Sequence, residues 1–141
     1  IKGIISELGV ELPNVKGSST LLVLPHNSLI KAIYGSVAAF KEQLIPLLEN
    51  EKNILVKYHP RDLNDPYELQ DISTLLPTTV PAEIFLVAMD INRVIGDIST
   101  TMMSAKWLNP NCKVEYIKSD SIYSALSDQL FESIGITQIA T

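Results

Sequence analysis

Short apolar runs alternate along the chain with longer segments of helical periodicity. The runs hold three to five mainly apolar residues, as buried strands do, and lie at Thr20–Leu24, Ile54–Tyr58, Arg93–Ile95 and Val114–Ile117, with a weaker one at Ile72–Leu76. Strands that alternate with helices indicate parallel pairing with right-handed crossovers. The pattern therefore predicts an α/β fold, a Rossmann-like parallel sheet with helices on both faces.

The first predicted helix follows the first strand, where Asn27 and Ser28 are good N-caps. Apolar residues then recur every three or four positions and predict one buried face: Leu29, Ile33, Val37, Phe40, Leu44 and Leu47. Pro46 lies inside this pattern and predicts a kink or restart, because proline cannot donate the interior hydrogen bond.

Three further helices are predicted by their end signals. Pro81 suits the first turn of a helix over 82–89, and Ser99 or Thr100 caps one that runs to Leu108. For the last, Asp120 or Ser121 is the cap, Gly135 is the stop, and the apolar side is Ile122, Leu126, Leu130 and Ile134.

Length and composition predict a single domain over residues 1–141. Of the 141 residues 46% are apolar and 19% charged, which suits one sizeable core, and no apolar stretch reaches the roughly 20 residues of a membrane span. The chain opens at Ile1 without an initiator Met, so we expect a fragment of a longer protein.

Charge and side-chain chemistry exclude several classes of function. A net charge of -5 argues against wrapping a nucleic-acid backbone. Cys112 stands alone, which excludes a disulfide framework, fits a reducing cytoplasm and indicates a packed thiol. Asp62, Asp65 and Glu68 match no calcium loop and are interpreted as a solvated acidic loop. Neither a metal nor a cofactor is expected. Three residues at helical spacing are assigned to the core: Met102, Met103 and Trp107.

The segment Lys57-Tyr58-His59-Pro60-Arg61-Asp62 delivers an imidazole, a rigid proline and a guanidinium to the end of a predicted strand. Ligands of parallel sheets bind beyond such strand ends. His59 could donate to a phosphate oxygen or protonate a leaving phosphate. Alternatively, it ends a strand and bonds locally.

A second loop, Gly96-Asp97-Ile98-Ser99-Thr100-Thr101, runs from a strand into a helix start with three hydroxyls in a row. Backbone N–H groups and hydroxyls there suit a phosphate, although ordinary N-capping uses the same residues. Glu83 could accept from ribose hydroxyls or stabilise a helix dipole. His26 could reach the same rim or act only as a cap or surface residue.

In this order the two loops, with Pro81-Ala82-Glu83 between them, resemble bacterial sialyltransferases of the lipooligosaccharide and capsular polysialic acid type. The resemblance covers roughly Leu21 to Ile117. It implies the C-terminal half of a two-domain GT-B glycosyltransferase, which binds CMP-sialic acid or CMP and meets its glycan acceptor through an N-terminal domain. The expected location is the cytoplasm, and peripheral membrane association of the full-length protein is compatible with it.

The resemblance also implies roles for individual residues. His59 would contact the CMP phosphate and act as general acid, Pro60 would shape the loop, and Ser99 and Thr100 would hold the phosphate; the binding set is His59, Pro60, Arg61, Glu83, Gly96, Ser99, Thr100 and Thr101. Glu83 would meet the ribose. The family's acidic pair followed by glycine, which supplies the general base, is absent from this sequence.

That absence leaves alternatives open. The base lies in an N-terminal part, or the protein has diverged. Enzymes that transfer polyol phosphate from CDP-glycerol and sugar-nucleotide epimerases use similar folds. A nucleotide-binding module without catalysis is a further alternative.

Overall fold

The structure, a computed structural model, describes residues 2–97, 99–117 and 124–139. Helices and strands alternate along it, beginning with a short helix that the apolar pattern did not predict. The helices are α1 (Lys2–Glu7), α2 (Asn27–Tyr34), α3 (Val37–Leu48), α4 (Ala82–Ala88), α5 (Thr100–Leu108) and α6 (Ser124–Ser133). The strands are β1 (Ser19–Val23), β2 (Ile54–Lys57), β3 (Thr74–Leu75), β4 (Ile91–Gly96), β5 (Lys113–Tyr116) and β6 (Thr137–Gln138).

The strands form one parallel sheet in the order β3-β2-β1-β4-β5-β6. Central strands are buried on both faces, as parallel sheets require, and two apolar clusters form the cores above and below them. This confirms the predicted Rossmann-like α/β fold with helices on both faces. The strand order reverses between β1 and β4, which is the switch point where such sheets bind ligands.

The predicted helix after β1 is two helices. Gly35 ends α2 with a φ of 85°, and Ser36 starts α3 by accepting a hydrogen bond from the Ala39 N–H at 3.0 Å. Pro46 lies inside α3, which continues to Leu48, so the helix does not restart there. The break at Gly35 resets the helical phase, and the buried residues become Ile30, Phe40, Leu44 and Leu48, whereas Leu29 is 46% exposed.

Other core predictions were right only in part. Met102 is fully buried, but Met103 is partly exposed and Trp107 is 82% exposed, because their spacing of four places both on the helix face away from Met102 and Ala105. On α6, Phe131 is buried while Leu130 and Ile134 are exposed. The predicted start of that helix (Asp120, Ser121, Ile122) and the side chain of Leu126 lie outside the described residues.

Two smaller predictions are confirmed. Gly135 ends α6 with a φ of 84°, and the chain then adds β6 to the sheet edge. Cys112 is buried, and burial raises the pKa of its thiol, which disfavours the nucleophilic thiolate. Within residues 2–97, 99–117 and 124–139, none of the helices has the length and apolar content that crossing a bilayer requires.

Candidate functional site

A cavity of about 610 Å³ opens at the carboxyl ends of β1, β2 and β4. These ends are level, because Val23 is in register with both Lys57 and Gly96. The cavity therefore lies at the switch point of the sheet. Its walls bring together seven of the eight predicted binding residues: His59, Pro60, Arg61, Glu83, Ser99, Thr100 and Thr101.

A second cavity, of about 720 Å³, is less suited to a nucleotide. It lies between α1, the segment 9–17 and the end of α4, near the amino ends of the central strands. Its charged lining residues are Glu11 and Asp90, both acidic. An anionic ligand would meet like charge there, so chemistry favours the smaller cavity.

His59 projects into the smaller cavity from a tight turn after β2. Its Nδ1 accepts a hydrogen bond from the Arg61 N–H at 3.1 Å, and the Asp62 N–H donates to the His59 carbonyl at 2.9 Å. In the neutral ring the proton then resides on Nε2. The local hydrogen bond, which the sequence offered as the alternative to a functional role, uses only Nδ1. Among the described residues none forms a hydrogen bond with Nε2, so Nε2–H is available to a ligand.

The pKa of His59 is lowered from 6.5, first by burial and then by the positive charge of Arg61, against the opposing charge of Asp62. His59 should therefore be neutral at pH 7. In an NMR titration we expect its midpoint below 6.5 in the free protein and a higher midpoint with saturating CMP, because a phosphate stabilises the imidazolium. A midpoint that CMP leaves unmoved would argue against a phosphate beside His59.

His26 and His59 both line the cavity and their rings make an edge contact, with centroids 5.3 Å apart and an interplanar angle of 81°. It is also the N-cap of α2, since its Nδ1 accepts from the Ser28 N–H at 3.2 Å. His26 thus both lies at the site and caps a helix, the two roles that the sequence offered. The caps predicted at Asn27 or Ser28 lie one or two residues too late.

The acidic loop after His59 is not solvated as predicted. Asp62 is buried and accepts from the Asn27 N–H at 3.0 Å and the Asn27 side-chain amide at 2.9 Å. Asp65 accepts from the Tyr58 hydroxyl and from the N–H groups of Leu69 and Gln70. Only Glu68 is exposed as predicted. Carboxylates satisfied in this way organise the loop.

The start of α5 offers unused hydrogen-bond donors to the cavity. Ser99 is its N-cap residue, but no side chain caps the helix there. Within the described part of the chain, the Ser99 hydroxyl oxygen is buried and has no hydrogen-bond partner. The N–H groups of a first helical turn also lack intrahelical acceptors. Ordinary capping by Ser99 is therefore not what the structure shows, and an anionic ligand would satisfy these donors.

Gly96, the eighth predicted residue, lies behind the cavity wall. A Cβ atom there would be 2.9 Å from the Val23 carbonyl oxygen and 2.9 Å from the Met102 sulfur. The missing side chain therefore lets β4 and α5 approach β1 closely enough to place Ser99 on the cavity.

Gly96→Ala is expected to lower the free energy of unfolding by about 1–3 kcal/mol through overpacking, measured by urea denaturation. Gly3→Ala in α1 is the matched control, because a Cβ at Gly3 has no neighbour within 4 Å. Equal stability of the two variants would show that the close approach at Gly96 is unimportant.

Lys57 was not singled out from the sequence, yet it lines the cavity. Its buried Nζ donates to the carbonyls of Tyr58 at 3.1 Å and Thr78 at 2.8 Å. Burial lowers its pKa, and the charge of Glu83 opposes this effect. The sequence feature that could have identified Lys57 is its position as the charged last residue of an otherwise apolar strand. Because Glu83 and Asp97 also line the cavity, the net charge of its lining is nearly balanced. Anion binding there therefore depends on hydrogen-bond donors at particular positions.

A family model described as alpha-2,8-polysialyltransferase (POLYST) matches residues 24–118, more than half of the chain. The matched span contains the whole set of residues that lines the smaller cavity apart from Val23. Neither the curated proteins nor the solved structures contain a match to this chain.

Proposed function

The chain belongs to the alpha-2,8-polysialyltransferase family, a group of glycosyltransferases, and we propose that it is the domain that binds CMP-sialic acid for transfer to a cell-surface glycan. One observation carries the proposal. The buried hydroxyl of Ser99, which has no partner among the described residues, lies at an uncapped helix start in the cavity that also holds His59.

In this proposal the phosphate of the donor sits at the start of α5. The hydroxyls of Ser99 and Thr100 and the first N–H groups of the helix donate to its oxygens. Charge builds on the phosphate as its bond to the sialic acid carbon breaks, and donors fixed in advance stabilise that charge. Nε2–H of His59 donates to the leaving phosphate oxygen or transfers its proton there.

The remaining parts of the substrate follow from the same placement. The half-buried Glu83 would accept from ribose hydroxyls, and the exposed Arg61 would add a cation at the rim. The glycan hydroxyl attacks the sialic acid carbon and must lose its proton to a base. We assign that base to a separate acceptor-binding domain, because this sequence holds no acidic pair followed by glycine. We place the reaction in the cytoplasm.

Calorimetric titration of this chain with CMP, CDP and UMP tests the proposal. We expect CMP to bind and UMP to bind at least about tenfold more weakly, the worth of roughly one hydrogen bond to a charged or well-placed group. Preference for CDP over CMP would instead favour transfer of a polyol phosphate. Absence of binding by all three nucleotides would contradict a donor site in this cavity.

A further inference from the structure

Two residues that line the cavity, His26 and Ser28 at the start of α2, belong neither to the His-Pro segment nor to the hydroxyl-rich loop. Asp62, at the end of the His59 turn, does not line the cavity, but it accepts hydrogen bonds from Asn27, which lies between those two residues in the sequence. The side chain of Asp62 is 0% exposed, and a carboxylate so fully removed from water needs compensating partners.

We propose that Asp62 is the positioning residue of this site and that it orients the imidazole of His59 through His26. Only the expected change in CMP affinity rests on the proposed function. The orientation of the His59 ring is a property of the free protein. Asp62 touches neither substrate nor cofactor in this account.

Asp62 fastens two loops together. Its Oδ2 and Oδ1 accept from the backbone and side-chain N–H groups of Asn27 at 3.0 and 2.9 Å, which joins the turn after β2 to the helix after β1. Its backbone N–H closes the same turn on the His59 carbonyl at 2.9 Å. One residue thus fixes both the turn that carries His59 and the wall against which His59 packs.

Asp62 also orients His26. The carboxylate Oδ1 lies 3.4 Å from Nε2 of His26, while Nδ1 of that ring lies 2.6 Å from the Ser28 hydroxyl and accepts from the Ser28 N–H. With Nδ1 an acceptor, the neutral ring carries its proton on Nε2, toward Asp62. Nδ1 of His26 is therefore hydrogen-bonded while its Nε2 faces a carboxylate 3.4 Å away, and the two contacts together restrict the angle of the ring.

The spacing of the two rings decides the role of His26. Their centroids are 5.3 Å apart in an edge contact. An acid and a base that flank a sugar ring must leave room for the whole reacting centre, which a direct ring contact excludes. Contact of this kind instead restricts how the His59 ring turns and keeps its Nε2–H toward the cavity.

The two helix starts at the cavity differ in a way that supports this assignment. At α2, Asp62 and His26 already accept from the N–H groups of Asn27 and Ser28, so a protein carboxylate occupies the position that an anion would take. At α5 no side chain caps the helix. The α2 start is thus an internal anchor, and the ligand phosphate is left to α5.

Imidazole NMR of the whole chain tests the inference, because His26 and His59 are its two histidines. In the wild-type protein both neutral rings should show the Nε2–H tautomer. Asp62→Asn should free the His59 ring to turn, so that Nδ1 no longer accepts steadily from the Arg61 N–H and the ring becomes a mixture of tautomers. It should also raise the dissociation constant of CMP about tenfold, the worth of one misaligned charged hydrogen bond. Asp71 is an exposed carboxylate that does not line the cavity, and Asp71→Asn should change neither the tautomer nor the affinity.

A double-mutant cycle separates positioning from mere stabilisation. His26→Ala should change the His59 tautomer and lower the affinity for CMP to a similar extent. The double variant Asp62→Asn/His26→Ala should bind CMP no more weakly than the weaker-binding of the two single variants. A role in stability alone would lower the midpoint of thermal unfolding without changing the tautomer of His59. That outcome would overturn the inference. So would a double variant in which the fold-losses of CMP affinity of the two single variants multiply.

Two complications leave the test decisive. If Asp62→Asn does not fold, His26→Ala removes the contact between Asp62 and His26 by changing its partly exposed partner. An unchanged His59 spectrum in that variant overturns the inference. If the wild-type chain binds no CMP, the proposed function fails, while the tautomers of the free protein still decide the role of Asp62.

Discussion

Replacing Ser99 and Thr100 together by alanine is expected to weaken CMP binding by at least about a hundredfold, since hydrogen bonds to a charged group contribute roughly 1.5 to 3 kcal/mol each. The buried Ser99 oxygen has no other partner among the described residues, so its loss costs the folded protein little. Calorimetric titration at constant pH and salt measures the change.

Ser104→Ala is the control for this double variant. Ser104 lies on the same helix but does not line the cavity. It should leave both affinity and stability close to wild type. Equal CMP affinity of wild type and of Ser99→Ala/Thr100→Ala would show that the start of α5 does not hold the phosphate.

His59→Ala is expected to weaken CMP binding about tenfold, because the neutral imidazole contributes one donor to a charged acceptor. His59→Gln keeps an N–H donor near the position of Nε2 but carries no transferable proton. It should therefore retain most of the CMP affinity while abolishing sialyl transfer. The same titration and a sialyl-transfer assay measure the two effects.

The comparison of these two variants separates binding from proton transfer. Transfer by His59→Gln at the wild-type rate would show that His59 only donates a hydrogen bond. Unchanged CMP affinity in His59→Ala would remove His59 from the donor site altogether. The first result would preserve the site and change the mechanism, whereas the second would contradict both.

The sheet and the loops at its carboxyl edge could be predicted from the sequence because their signals are local. A buried parallel strand is a short apolar run, and the residues that follow it must lie at one edge of the sheet. This was enough to expect His59, Ser99 and Thr100 near one another. Their predicted roles toward a nucleotide stay predictions.

The contacts that organise the site could not be predicted in the same way. Asp62 contacts Asn27, which lies 35 positions earlier in the chain, and such pairing depends on how two loops meet in space. A carboxylate after a His-Pro turn is as compatible with a solvated loop as with a buried anchor. Lys57 was hidden for a similar reason, since its partner Thr78 lies in a loop without a sequence signal.

Helix phase was the other source of error. Gly35 and Ser36 provide a helix stop and a cap, but the apolar periodicity across them was continuous enough to conceal the break. Once the break is placed at Gly35, the buried face moves from Leu29 to Ile30. At α5 the spacing of Met103 and Trp107 was helical, but only the sheet decides which helical face is buried.

A crystal structure of this chain with CMP tests the central claim most directly. The account predicts the phosphate at the start of α5, within hydrogen-bond distance of the Ser99 and Thr100 hydroxyls and of Nε2 of His59. A phosphate bound at the start of α2, or a nucleotide in the cavity beside Glu11 and Asp90, would contradict it.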